Sequence, residues 1–236
     1  MQTLWKQSRF SESLRGIRRP DETVASDPEE CIDLLAAQWR QVFAAKRINA
    51  ERAKTFVERH GRPLPAFCWK LPFEGFSSML DACMDSAPGP DGIPYSAWAR
   101  APRPIRVALY AAFDAFLHGQ SLPDDFNHAF LALLAKGEHP EDQVFVARAP
   151  EETRPLSLSN TDAKLFAMAI KTAASKRVES WASGTQRGFL TGRQMLDNAL
   201  EVETTGMVAS MNVDNRPAML FFDFGAASPS VAHLFI

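Results

Sequence analysis

Cysteine is scarce and poorly placed for cross-linking: Cys31, Cys68 and Cys83 are odd in number and far apart in 236 residues. That excludes a disulfide framework and a zinc cluster, and residue habit predicts three buried thiols. The five histidines show no ligand spacing, so metal binding through His or Cys is not expected. No run of about 18 apolar residues is present to span a bilayer. The first residues carry Trp5, Lys6 and Arg9 where a secretory signal needs an apolar stretch. A cytoplasmic or nuclear protein without membrane contact is expected. Internal repeats and low-complexity tracts are absent, and neither charge dominates: 26 Lys and Arg against 28 Asp and Glu leave a net charge of −2. Such a balance does not suit a protein whose whole surface holds nucleic acid. Acidic residues run out near the end, with no Asp or Glu after Asp223.

What is present suits a globular chain, since 46% hydrophobic and 23% charged residues can bury a core in one domain or one domain plus an extension. Residues 1–26 scatter basic and polar side chains without an apolar period and are expected to form a flexible N-terminal segment. Asp27 can cap a helix, Pro28 suits its first turn, and Glu30 stands three residues after the cap. Ile32, Leu35, Trp39, Val42 and Phe43 then recur at helical spacing, which predicts a helix ending before Gly61-Arg62-Pro63 within a helical connector, residues 27–69. Beyond Pro63, Pro65 and Pro72, the residues Phe73, Phe76, Met79, Leu80 and Cys83 mark one face of a short helix. Another runs over 103–118, with Leu109, Phe113, Phe116 and Leu117 on one face and Gly119 as its stop.

The pattern changes near residue 126. Phe130-Leu131-Ala132-Leu133-Leu134 reads as a short strand, and Arg154-Pro155-Leu156-Ser157-Leu158 as its antiparallel partner across a polar loop. Helices are expected over about 161–182 and 193–205, and then a strand, Ala218-Met219-Leu220-Phe221-Phe222-Asp223. The fold class is α+β, mostly helical. Residues 161–193 are locally basic, with Lys164, Lys171, Lys176, Arg177, Arg187 and Arg193 against Asp162 and Glu179; a solvated helix face would look the same.

Four separated segments are distinctive. Ala87-Pro88-Gly89-Pro90-Asp91-Gly92-Ile93-Pro94 has the composition of a tight turn. Leu133-Leu134-Ala135-Lys136 ends the first hairpin strand on a cation, and Arg154-Pro155-Leu156-Ser157-Leu158-Ser159-Asn160 begins the second on another; each also suits a surface cation. Asn160-Thr161-Asp162-Ala163-Lys164-Leu165-Phe166-Ala167 opens a helix that leads to Gln186-Arg187-Gly188-Phe189-Leu190-Thr191-Gly192-Arg193, followed by Asp197-Asn198. Its two glycines allow close backbone approach, while Phe189 equally suits a core. Last, Leu220-Phe221-Phe222-Asp223-Phe224 ends an apolar run on a carboxylate, a pattern that also fits a helix cap.

In this order and spacing the segments resemble the reverse transcriptase domain of non-LTR (LINE-type) retrotransposons, a relative of other right-hand polymerases. The resemblance covers roughly residues 70–236. It implies a partial right-hand polymerase, fingers plus the start of the palm, with the palm sheet incomplete and the domain truncated after its first catalytic aspartate. In such a domain Lys136 and Arg154 would reach the triphosphate of the incoming deoxynucleotide, where an Arg fork takes two phosphate oxygens at once. Lys164, Arg187, Gly188, Phe189 and Arg193 would meet the template. Asp223 would be the catalytic aspartate and a ligand of Mg²⁺. Ser228 stands at the nucleotide-binding position where the family has an aromatic residue against the sugar, which implies poor discrimination between ribose and deoxyribose.

The implied partners of the complete enzyme are an RNA template, a DNA primer and deoxynucleoside triphosphates. Two-metal nucleotidyl transfer needs carboxylates from more than one strand, and the family takes the others from a later hairpin. Asp124-Asp125 lies upstream, after Pro123, and suits a turn. The expectation is therefore a fragment of an RNA-directed DNA polymerase, inactive alone and able to self-associate through an exposed palm edge. It also requires Lys136, Arg154 and Asp223 to converge on a common cavity. Competing readings are a non-catalytic nucleic-acid-binding module using residues 161–193, a decayed retroelement remnant, and a helical scaffold.

Overall fold

Residues 14–63, 66–211 and 218–223 are described by a computed structural model. Among them the chain is mixed α/β and about half helical, with seven α-helices and two small sheets. They fall into two compact units, one made of residues 14–59 with Ala129–Leu158 and the other of residues 60–128 with 159–223.

In the first unit the Asp27 carboxylate accepts the Glu30 N–H at 3.0 Å and starts α1 (Pro28–Phe43) as its spacing predicts. Glu30 does not complete a capping box. Its carboxylate instead accepts Arg19 Nε at 2.7 Å and Nη2 at 2.8 Å, tying the preceding segment to the helix start. That segment corrects the expectation of flexibility through residue 26: Gly16–Arg18 forms β1 and Val24–Ala25 forms β2, paired antiparallel with Ile17 opposite Ala25. Both facing residues are buried. Strands of three and two residues are too short to show a period in sequence. The first thirteen residues lie outside those described.

The single helix expected up to Gly61 is two. α1 stops at Phe43, where Ala44 turns to ψ 146°, and Asn49 starts α2 (Ala50–His60) by accepting the Arg52 N–H on its side chain at 2.9 Å. The hairpin expected from the apolar runs is present as β3 (Ala129–Ala135) and β5 (Thr153–Ser159). Lys136 N–H donates to Glu152 O at 2.8 Å, joining the end of β3 to the start of β5, so the strands run in opposite directions.

The intervening loop is less polar in its role than in its composition. Between the 3-10 turns Pro140–Gln143 and Pro150–Glu152 it carries β4 (Ala147–Arg148), which pairs parallel with β1 to give the order β2-β1-β4. Val146, Ala147 and Arg148 are buried. α1 is bound to this layer through the Trp39 indole N–H, which donates to buried Thr153 Oγ1 at 2.9 Å.

An aromatic core organises the second unit. α3 (Phe73–Asp81) contributes Phe76 and Leu80, α4 (Tyr95–Ala99) Tyr95, α5 (Arg103–Leu117) Leu109 and Phe113, and α6 (Thr161–Trp181) Leu165, Phe166 and Ala169. Spacings of three to four residues put each set on one helix face. Phe113 is central: its ring stacks on Phe76 at 5.5 Å and meets Phe166 edge-on at 5.4 Å. Arg106 braces the outside of this core by donating to Ala99 O, Ala101 O, Ser77 Oγ and Asp81. Gly119 ends α5 as expected, with φ +78°.

Further along, α7 (Leu196–Ser210) buries no residue. The strand expected over residues 218–223 is not formed. All six residues are exposed and none pairs with a described strand. An apolar run becomes a strand when a neighbour satisfies its N–H and C=O groups, and the described residues offer 218–223 no such neighbour. The cysteines also depart from expectation, since Cys68 is exposed beside the Pro-rich connector and Cys31 and Cys83 are half-buried. No described helix is long and apolar enough to cross a membrane.

Phe113→Ala removes a fully buried ring shared by three helices. It is expected to destabilise the protein by roughly 3–5 kcal/mol in urea unfolding, with the slope unchanged; a loss under about 1 kcal/mol would contradict a core centred on this ring.

Candidate functional site

Strand alternation sorts the hairpin into two faces. Thr153, Leu131 and Leu133 point toward α1: Thr153 bonds Trp39, and the two leucines line a cavity of about 520 Å³ with Ile17, Ile32, Leu35 and Trp39. The opposite face carries Phe130, Leu134 and Leu156, all largely exposed, together with exposed Arg154. Lys136, two residues beyond Leu134, continues that face and is the diagonal neighbour of Arg154 in the register set by the Lys136–Glu152 bond. Two sequence-predicted cations are thus brought to one end of one hairpin face. The Arg154 side chain has no hydrogen bond or ion pair among the described residues, whereas Lys136 Nζ donates to Glu151 O at 2.7 Å. None of the predicted site residues lines the apolar cavity.

Behind Lys136 lies a group that no motif announces. Arg148 is 1% exposed, yet its guanidinium donates to both carboxylate oxygens of Asp142, at 2.6 and 2.5 Å. It also donates to Lys136 O at 2.9 Å and Gly137 O at 3.0 Å. Asp142 accepts the His139 N–H at 2.7 Å as well. The Arg148 fork, and next the His139 amide, hold the Asp142 carboxyl far below the usual carboxylate range.

In the second unit the first and third distinctive segments meet. Gly92 N–H bonds Gly89 O at 3.0 Å to close the turn, and the Asp91 N–H donates to Asn160 Oδ1 at 3.2 Å. A Cβ on Gly89 would lie 2.4 Å from the Asn160 backbone nitrogen, so no larger residue fits there without moving the chain. Fully buried Thr161 joins the same contact, donating to Ile93 O at 2.9 Å and accepting from the Trp98 indole at 2.8 Å. Lys164 Nζ points back to the turn, 3.4 Å from Ala87 O.

The remaining template candidates surround the loop between α6 and α7. Arg193 donates to Glu179 O at 2.8 Å, Gln186 O at 2.7 Å, Ala182 O at 3.3 Å and Ser183 O, so its charge sits on the C-terminal carbonyls of α6. Arg187 pairs with Glu201 at 2.7 Å and donates to Asn198 Oδ1 at 3.1 Å. These two arginines brace the loop from inside. Phe189 is the converse: it is 102% exposed on a backbone with φ +63°, so it is not a core residue. A bulky side chain in the left-handed region costs of order 1–2 kcal/mol. Gly188 beside it is half-buried, and its carbonyl accepts from Gln186 Nε2 at 3.1 Å.

Asp223 is exposed in the second unit, while Lys136 and Arg154 belong to the first. No group of three His, Cys, Asp or Glu side chains that could hold a metal ion occurs among the described residues. Asp223 with its described neighbours therefore does not compose a magnesium site, since two ions need several oxygen ligands. Ser228 lies outside the described residues. No protein-family model matches the chain. No motif marks Arg148 or Asp142, which pair within the hairpin loop, and Asn160 stands in the sequence only as the end of a segment, since its bond to Asp91 is long-range.

A carboxyl whose pKa is lower in the folded than in the unfolded protein adds stability above its unfolded value of about 3.9, and that stability is lost as pH falls through the folded value. The stability gap between the wild type and Asp142→Asn should therefore narrow as pH drops from about 6 toward 2. Urea unfolding across that range checks this, and a gap independent of pH would show that Asp142 is not held ionised by its partners.

Proposed function

We propose that this chain is the fingers and first palm segment of an RNA-directed DNA polymerase of the non-LTR retrotransposon type. The observation that carries the reading is the hairpin β3–β5, which presents Lys136 and Arg154 as diagonal neighbours on one exposed face. A triphosphate spreads several negative charges over a few ångströms, and two adjacent cations, one a planar fork, match that distribution. The segment 87–93, bonded to Asn160, Thr161 and Lys164, adds support, since it unites two segments of the resemblance.

Template contact in this reading relies on exposed Phe189, beside Gly188, more than on charge. An exposed ring offers a face on which a base can stack regardless of sequence. Arg187 and Arg193 act indirectly by holding the loop that carries it. Asp223 is the ligand this chain contributes to a magnesium centre, and further carboxylates are needed to complete it. Cytoplasm or nucleus is the proposed setting, where RNA template, primer and deoxynucleotides are found. The alternative of a charge-driven nucleic-acid-binding module is less favoured, because its two best arginines are engaged internally.

Equilibrium dialysis of labelled dTTP against the 236-residue chain tests the proposal. Lys136→Ala and Arg154→Ala are each expected to weaken binding about tenfold or more, the size of a lost charge-assisted contact, and no labelled nucleotide should be incorporated on a primed RNA. Absence of binding by the wild type, or binding by both variants as tight as that of the wild type, overturns the reading.

A further inference from the structure

Arg148 is a buried charge that both joins the two sheets and acts on the residue that carries the hairpin's lysine. Breaking an ion pair out of the interior is costly, but well-packed apolar residues often serve stability as well as a buried pair does. What an apolar pair cannot do is hold carbonyl oxygens at set positions. Arg148 Nε donates to Lys136 O and Nη2 to Gly137 O, while Asp142 grips the other edge of the same plane. Two further bonds fix Lys136, from its N–H to Glu152 O at 2.8 Å and from Nζ to Glu151 O at 2.7 Å. The lysine is thereby anchored at both ends of its own backbone unit, beside Arg154. Asp142 also pairs with Arg148, so that Lys136 and Arg154 are the cations that this end of the hairpin face presents among the described residues.

We propose that Arg148 is a positioning residue for triphosphate binding, its Asp142-clamped guanidinium holding the Lys136 backbone so that the Lys136 ammonium and the Arg154 fork meet one ligand together. The proposal rests on the triphosphate reading above. Arg148→Lys keeps the charge but cannot grip Asp142 and two carbonyls in one plane. It should leave circular dichroism unchanged while weakening dTTP binding about tenfold, because misplaced contacts lose much of their energy. The loss should vanish in the background lacking the lysine: Lys136→Ala with Arg148→Lys should bind no more weakly than Lys136→Ala alone.

Equilibrium dialysis with labelled dTTP on the full chain and these variants decides between the outcomes. If Arg148→Lys does not fold, Asp142→Asn takes its place in the same cycle with the same expectations. Wild-type affinity in the clamp variant, or losses that add in the double variant, overturns the positioning role while leaving the triphosphate reading standing. No binding by the wild type, or undiminished binding by Lys136→Ala, removes that reading and the proposal with it.

Discussion

A guanidinium withdrawn from water is the joint of the first unit. Arg148 stands in the β-ladder opposite Ile17, and its side chain crosses to the carbonyls of Lys136 and Gly137 where the hairpin begins its loop. Such a charge is tolerated inside because a carboxylate and three carbonyls receive its donors. A two-stranded hairpin is marginal on its own, and strands of two or three residues are weaker still. Tying one sheet to the other through a rigid planar group lets these short pieces share stability. Trp39 and Thr153 complete the tie from the helix side, so α1, the small sheet and the start of β5 form one layer system.

The second unit solves a similar problem with different chemistry. Its helices meet on aromatic rings, a contact that is large in area and tolerant in angle. Precision is supplied at the rim, where Asn160 accepts the Asp91 N–H and Thr161 accepts the Trp98 indole N–H and donates to Ile93 O. Apolar burial thus sets which helices associate, and a few directional bonds set how the loop lies on them. α7 and residues 218–223 take no part in this core; Leu196, Leu200, Met207 and Phe221 remain exposed.

Cations with similar motif standing end in different physical states. Arg193 is spent on the carbonyls at the end of α6 and Arg187 on Glu201, whereas Arg154 stands exposed on β5. A guanidinium surrounded by carbonyls gains nothing further from a phosphate unless it first gives up those bonds, so exposure separates bracing arginines from ligand-facing ones. The proposed division of labour follows: charge for the nucleotide at the hairpin, an exposed ring for the template at Phe189.

Much of the local structure is determined by the sequence alone, because it arises between residues a turn apart. The Asp27 cap, the apolar faces of α3 and α5, the stop at Gly119 and the apolar runs of the hairpin are all encoded within about ten residues, where propensity and period act. The short strands β1 and β4 are a different case: they pair with each other more than a hundred positions apart, and β1 has β2 on its other edge. Likewise residues 218–223, apolar enough for a strand, lack a described neighbour to pair with. At the site the motif cations could be named from sequence, but which ones face outward, and that Arg148 stands behind Lys136, was decided by tertiary structure. Hydrogen-bond partners distant in the chain leave no trace in local composition, since any polar residue can be solvated until the fold removes the water.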